Sequence, residues 1–196
     1  MIQSEAVVIP TASECLSLLK KHGVPVHIIS HSRMVQGVAL CLCRVLAFSG
    51  QRLDCALVEA GSLLHDIAKM LSLRTGQGHA QAGASLLLQL GYPEVAEIVR
   101  QHVVLDQDSP PAPITETALV HYADKRVQHT RVVTLGERFR DLKERYGKTP
   151  EALAWLEDLE NRSLRLEEYL FRGLPIRPDV FFTLAAEWER EIEIDA

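Results

Sequence analysis

Apolar residues recur at helical spacing through almost the whole chain, and no segment shows the two-residue alternation of a half-buried strand. This pattern predicts an all-α fold, because each helix must bury its apolar face against other helices. Cap residues and helix-ending Gly and Pro residues divide the pattern into separate helices. The main boundary residues are Thr11, Gly23, Asp54, Gly91, Pro93, Thr115, Thr134, Thr149 and Pro150.

We expect a single domain in which residues 1–148 form a helical core and residues 149–196 form a C-terminal helical extension. The second helix is predicted at 26–48 and the third from Asp54 to about Met70, with loops at 73–78 and 106–113. A long helix from Pro150 to about Arg172 carries a coiled-coil-like apolar seam, so it packs either on the core or on a second subunit as a homodimer. A last amphipathic helix is predicted after Pro178.

The composition limits the class of protein. With 196 residues, 47% of them hydrophobic, the chain can bury a sizeable core. Its net charge of −5 argues against a nucleic-acid coat protein, and no apolar run reaches the ~20 residues of a membrane span. No secretory signal is recognisable, so we expect a cytoplasmic protein without a membrane partner. The cysteines are interpreted as reduced core thiols: Cys15, Cys41, Cys43 and Cys55.

The segment GSLLHDIAK, at 61–69, places His65 and Asp66 directly after an apolar run. Other histidines and a second aspartate also fall on or beside apolar helical faces: His31, His79, His102 and Asp124. A single such histidine is usually a hydrogen-bonded core residue, but a buried carboxylate is costly unless a cation or a metal pairs with it. Imidazoles and carboxylates from several helices are common metal ligands in all-helical cores. The set therefore predicts a metal site.

These residues, in this order, resemble the HD-domain superfamily of metal-dependent phosphohydrolases. The resemblance extends over roughly residues 26 to 130 and implies an HD-type helical bundle. It rests on HSRMV at 31–35, LLHDIAK at 63–69, GHAQAGA at 78–84, VRQH at 99–102 and YADKRV at 122–127. The arrangement is especially similar to that of the bis(5′-nucleosyl)-tetraphosphatase type of HD protein.

The resemblance implies one or two divalent transition metal ions, of Fe, Mn, Co, Ni or Zn, because nitrogen-rich ligand sets favour these metals over magnesium. The implied ligands of the first ion are His31, His65, Asp66 and Asp124. Asp66 would bridge to a second ion, whose other ligands are His79 and His102. Two positions depart from the family pattern: Ala68 replaces a glycine, and Val103 stands where many two-metal members have a second histidine.

Asp66 and Lys69 are the implied catalytic residues, with Lys69 also contacting the substrate phosphate. Further candidates for phosphate contact are Arg74, Lys125 and Arg126. The other basic residues of this region are interpreted as a solvated helix face: Arg131, Arg138 and Arg140.

The implied reaction is hydrolysis of a phosphate ester or anhydride by a metal-activated water. We favour a small nucleotide as the substrate. The alternative is a non-catalytic metal- or nucleotide-binding regulatory module that acts through a helical dimer or partner surface. The acidic composition and the lack of a recognisable RNA-binding module argue against nucleic acid as a partner.

Overall fold

A computed structural model describes residues 8–174 and 177–180, without the side chains of 73–75. It confirms the predicted all-α fold. The helices are α1 (Ala12–Lys21), α2 (Val26–Phe48), α3 (Cys55–Leu64), α4 (Lys69–Thr75), α5 (His79–Gln89), α6 (Pro93–Gln101), α7 (Glu116–Lys125), α8 (Leu135–Tyr146) and α9 (Pro150–Phe171). Among the described residues, none of these helices has the length and apolar character needed to cross a membrane.

The predicted caps begin their helices as expected. The hydroxyl groups of Thr11 and Thr134 accept hydrogen bonds from the backbone N–H groups of Glu14 and Glu137. The two glutamate carboxylates accept in return from the cap N–H groups, so α1 and α8 both begin with a capping box. The Asp54 carboxylate accepts from two N–H groups of the first turn of α3.

The third helix is shorter than the sequence predicts. The apolar pattern predicts a helix to about Met70, but α3 ends at Leu64 and the chain turns through 65–68 before α4 begins. That prediction is wrong, and the loop predicted at 73–78 is shorter than expected, because α4 continues to Thr75 and only residues 76–78 separate it from α5. Ile67 and Ala68 are buried within the turn, so the apolar pattern runs across it without a visible break.

A short antiparallel hairpin separates α7 from α8. Strand β1 (Val127–Gln128) pairs with β2 (Arg131–Val132). His129, in the connecting turn, has a φ of 58°, in the left-handed region that histidine occupies more readily than most residues. Strands of two residues are too short to produce an alternating pattern, so the sequence gives no sign of them.

Cys43 and Cys55 form a disulfide, with their Cα atoms 6.2 Å apart. The interpretation of all four cysteines as reduced thiols is therefore wrong for this pair. Cys43 lies on α2 and Cys55 begins α3, and the two meet because α3 packs against α2 after a short connection. Cys15 and Cys41 are free thiols. Burial raises the pKa of Cys15 to about 12, which makes it an unreactive thiol.

Helix α7 packs against α2, α3, α6 and α9. The apolar seam of α9 faces this bundle, and its buried residues are Leu156, Leu159, Ser163, Leu166 and Leu170. Three of these leucines belong to the same apolar cluster as residues of α2 and α7. The boundary at residue 148 and a homodimer both stay predictions. A 3₁₀ turn lies at Pro178–Val180, and the last helix predicted from the sequence falls mostly on residues 181–196, outside the described part of the chain.

Gly61 allows α3 to pack closely against α6. A Cβ atom at this position would lie 2.7 Å from Cγ2 and 2.9 Å from Cδ1 of Ile98. We expect Gly61→Ala to lower the free energy of unfolding by about 1–3 kcal/mol through overpacking. Gly136→Ala is the matched control, since a Cβ atom on this α8 residue meets nothing within 4 Å and alanine favours helix. Equilibrium urea unfolding compares the two, and equal midpoints would contradict the close contact.

Candidate metal centre

The His-Asp pair lies in the turn between α3 and α4. Helix α3 ends at Leu64, so His65 and Asp66 leave the helix and are directed into the interior, with residue exposures of 0% and 2%. The turn returns the chain to helix at Lys69. Because the pair is not on a regular helix, the 100° separation of adjacent helical side chains does not apply to it.

The first group of candidate ligands consists of His31, His65 and Asp124, from α2, the turn and α7. Oδ1 of Asp124 lies 3.2 Å from Nε2 of His31 and 3.6 Å from Nε2 of His65. Donor atoms bound at about 2.1 Å to a common ion lie roughly 3.0 to 3.4 Å apart, depending on the bond angle. One of the two measured distances falls in this range and the other slightly above it, and all three donor atoms lie within 4.8 Å of one another, so small movements would bring them to one ion.

The second group consists of Asp66, His79 and His102, from the turn, the start of α5 and the end of α6. Nε2 of His79 lies 3.0 Å from Nε2 of His102. Oδ1 of Asp66 lies 3.4 Å from the first of these atoms and 3.8 Å from the second. These donor atoms also lie within 4.8 Å of one another, so the structure brings all the predicted ligands together as two triads.

Asp66 joins the two triads. Its Oδ1 atom faces His79 and His102, whereas its Oδ2 atom lies 3.5 Å from Nε2 of His65 and 2.6 Å from Nζ of Lys69. A carboxylate with one oxygen toward each group is placed as a bridging ligand would be. This arrangement agrees with the bridging role that the sequence resemblance implies for Asp66.

Backbone carbonyls fix the orientation of three of the imidazoles. Each ring donates its Nδ1–H to a carbonyl, which leaves the lone pair of Nε2 directed into the site. The acceptors are His129 for His31 (2.8 Å), Ser62 for His65 (2.7 Å) and Val99 for His102 (2.6 Å). Nε2 of His65 is buried and has no hydrogen-bond partner among the residues that the structure describes. A buried atom of this kind requires a partner, and a metal ion fits that requirement.

The carboxylates of the centre are held in their ionised form. Burial alone would raise the pKa of Asp66, but a proton on Nε2 of His65, where a metal ion could bind instead, and the charge of Lys69 hold that pKa well below its usual range. Although burial opposes the shift, Asp66 in turn raises the pKa of His65. Burial would also raise the pKa of Asp124, but the charge of the neighbouring Lys125 holds that pKa well below its usual range. Two buried anionic groups therefore face the imidazoles, which favours a divalent cation between them.

Two of the imidazoles are held neutral. Burial, with a further contribution from His65, lowers the pKa of His102 to about 3. Burial also lowers the pKa of His79, although the nearby Asp66 opposes the shift. Neutral imidazoles are the form that binds metal ions, so these two rings need not lose a proton to do so.

Two lysines lie beside the triads. Lys69 keeps 44% of its side chain exposed while its Nζ atom donates to Asp66. Lys125 is only 3% exposed, and its Nζ atom donates to Oδ2 of Asp124 at 3.0 Å and to the backbone carbonyl of His102 at 2.7 Å. Both lysines line the same cleft of 220 Å³. Lys69 can therefore reach a ligand in the cleft, whereas the ammonium group of Lys125 already binds two groups of the centre.

The HD domain family matches residues 28–129. The chain belongs to the HD-domain family. The matched residues include both triads, Lys69 and Lys125, and this is a family of metal-dependent phosphohydrolases. Helices α8 and α9 lie outside the matched range.

Two relatives of this HD-domain protein are similar over different shares of their length. An uncharacterized protein of Methanocaldococcus jannaschii is 30% identical over 148 residues, covering 69% of this chain and 86% of that protein. A tRNA (cytidine(56)-2′-O)-methyltransferase of Thermoplasma volcanium is 34% identical over 97 residues, covering 49% of this chain and 27% of that protein. The chain thus spans about a quarter of the methyltransferase. No solved structure matches the chain.

Arg126 of this HD domain is not placed as a phosphate ligand. Its side chain is 3% exposed, and its Nη1 atom donates to the carboxylate of Glu167 at 2.7 Å. Its Nε atom donates to the carbonyl of Val133 at 2.8 Å. Among the described residues that line the cleft, Arg126 is absent. The side chain of Arg74, the other arginine predicted at the phosphate, lies outside the described part of the structure.

Sequence reasoning missed three residues that line the cleft. Arg138 is interpreted from the sequence as part of a solvated face, and no role is predicted for Tyr146 or Trp155. The structure places all three in the cleft beside the HD-domain ligands. For the two residues of α8 there is a sequence signal: Arg138, Leu142 and Tyr146 have helical spacing, which places their side chains on one face of the helix. No such signal marks Trp155 of α9.

Proposed function

We propose that this HD-domain protein is a metal-dependent phosphohydrolase that cleaves a phosphate ester or anhydride of a small nucleotide. The observation that carries the proposal is the placement of Asp66. Its two oxygens face two triads of potential metal ligands, and Lys69 contacts it from the side that opens to the cleft.

Each of these residues has a role in the proposed reaction. Divalent ions, when bound, polarise phosphoryl oxygens and lower the pKa of a water molecule. The two triads would hold the ions, and the Asp66 carboxylate would supply a ligand atom to each side. Lys69 is a cation at the edge of the cleft, where it can bind a phosphoryl oxygen and stabilise the charge that develops in the transition state. Lys125 keeps Asp124 ionised and fixes its carboxylate.

The proposal is tested by phosphate release. Protein reconstituted in turn with Mn, Fe, Co, Ni and Zn is incubated with nucleoside mono-, di- and triphosphates, dinucleoside polyphosphates and non-nucleotide esters. We expect turnover of nucleotides with at least one metal, and a loss of about 100-fold or more in His65→Ala. His27→Ala, which changes an exposed histidine of α2, is the matched control and should retain full activity.

A second candidate function is a non-catalytic metal- or nucleotide-binding module that acts through a partner surface. The match to a quarter of a tRNA methyltransferase favours it, because there the similar segment occurs in a protein named for a different activity. This module would bind metal through both triads but release no phosphate from any compound of the panel. That result would reject the hydrolase proposal in favour of the module.

A further inference from the structure

The cleft beside the metal centre has a charged part and an apolar part in its lining. On one side it is lined by ligands of both triads and by Lys69 and Lys125. On the other side its lining is apolar and aromatic, and comes from α8 and α9: Leu142, Tyr146, Trp155, Leu156 and Leu159. Both helices lie outside residues 28–129, so this wall belongs to the present chain rather than to the matched family region.

Arg138, on α8, also lines the cleft. Its side chain is 17% exposed, and its one ion pair with another described residue, Asp141, has a long Nη1–Oδ2 distance of 3.5 Å. Its Nε atom is buried and has no hydrogen-bond partner in the described part of the chain. A guanidinium N–H group that is buried in this way calls for an acceptor, and the planar fork of arginine matches the oxygens of a phosphate.

The aromatic residues follow Arg138 along the same cleft. Arg138, Leu142 and Tyr146 are spaced four residues apart, so they lie on one side of α8, each about 6 Å farther along the axis. Tyr146 and Trp155 remain 62% and 49% exposed, although both line the cleft. Partly exposed aromatic rings beside a cationic group form a surface on which a nucleobase can stack.

We propose that α8 and α9 form a nucleotide-binding subsite in which Arg138 binds a phosphate group and Trp155, with Tyr146, stacks against the base. This inference rests on the proposed function, since it takes the metal centre as the place where the phosphate is cleaved. It adds the residues that would select a nucleotide over other phosphorylated compounds. A phosphate or polyphosphate alone would require the cations of the cleft but not its aromatic wall.

The first test measures binding without turnover. The chain has two tryptophans, so Trp155 is the single fluorescent tryptophan in a Trp188→Phe background. Metal-free protein, kept so with a chelator, is titrated with adenosine 5′-monophosphate and, in parallel, with ribose 5-phosphate. We expect the first compound to change the fluorescence of Trp155 saturably and the second to leave it unchanged, because only the first carries a base.

The second test separates the two halves of the subsite. Affinities for both compounds are measured by calorimetry on metal-free Trp155→Ala, Arg138→Gln and the control Leu164→Ala. Leu164, an exposed residue of α9, is not among the described residues that line the cleft. We expect Trp155→Ala to weaken the binding of adenosine 5′-monophosphate about 5- to 100-fold and to leave the affinity for ribose 5-phosphate unchanged. Arg138→Gln should weaken the binding of both compounds about 10-fold, whereas Leu164→Ala should change neither affinity.

The outcomes distinguish this proposal from the proposed function. If the adenosine compound leaves Trp155 fluorescence unchanged, or if Trp155→Ala weakens both compounds equally, the stacking subsite is rejected even when the enzyme hydrolyses phosphate esters. If no compound is hydrolysed but the base-dependent response of Trp155 is present, the subsite is supported and the hydrolase proposal fails on its own test.

Discussion

Replacing Asp66 by asparagine should remove the metal from both triads and lower phosphate release by about 10³-fold or more. The reason lies in the placement of the two carboxylate oxygens, one toward His79 and His102 and the other toward His65. Asparagine keeps the shape of the side chain but removes its negative charge and replaces one ligand oxygen with an amide nitrogen. Elemental analysis of the purified protein, together with turnover, measures the effect.

Two further variants test whether the loss of metal is specific to Asp66. Asp158→Asn changes a carboxylate of α9 that is 65% exposed, and it should retain the metal content and the activity of the parent protein. His102→Ala removes a ligand of the second triad alone and should leave about one equivalent of metal. If Asp66→Asn keeps two equivalents, Asp66 does not join the two sites, and the bridging role assigned to it is wrong.

The candidate ligands could be predicted because each carries a local signal. A single histidine on an apolar helical face is usually a core residue, but His31, His102 and Asp124 together with the His-Asp pair form a set that a core of ordinary residues does not explain. The turn at 65–68 carried no such signal, because its buried Ile67 and Ala68 continue the apolar pattern of the helix. Local periodicity reports burial, and burial is the same in a packed turn as in a helix.

Two arginines lie elsewhere than the sequence predicts, and they show a different limit. Arg126 follows Asp124 closely and is therefore predicted at the phosphate, whereas Arg138 is predicted to face solvent. In the structure Arg126 binds Glu167 of α9, and Arg138 lines the cleft. The hairpin between α7 and α8 redirects the chain, and α9 then packs back on α7. Both effects depend on contacts between residues far apart in sequence, which no local pattern reports.

Replacing Arg126 by methionine should lower the free energy of unfolding by about 3 kcal/mol. Its guanidinium is 3% exposed and connects α7, the segment after the hairpin and α9 by donating to Tyr122, Val133 and Glu167. Methionine fills a similar volume but leaves the Val133 carbonyl and the Glu167 carboxylate without this donor. Because Glu167 is itself 19% exposed, water can recover part of the loss. Thermal and urea unfolding measure the change.

The same variant decides between the two roles considered for Arg126. Arg140→Met, at an exposed position of α8, is the control for the loss of a positive charge. If Arg126 is structural, Arg126→Met has an unchanged KM for phosphorylated substrates at temperatures below its unfolding. Adding Glu167→Leu should then restore part of the lost stability, because an apolar pair can replace a buried ion pair. If the residue instead contacts phosphate, KM rises while stability stays near that of the control, and the role predicted from the sequence would be correct.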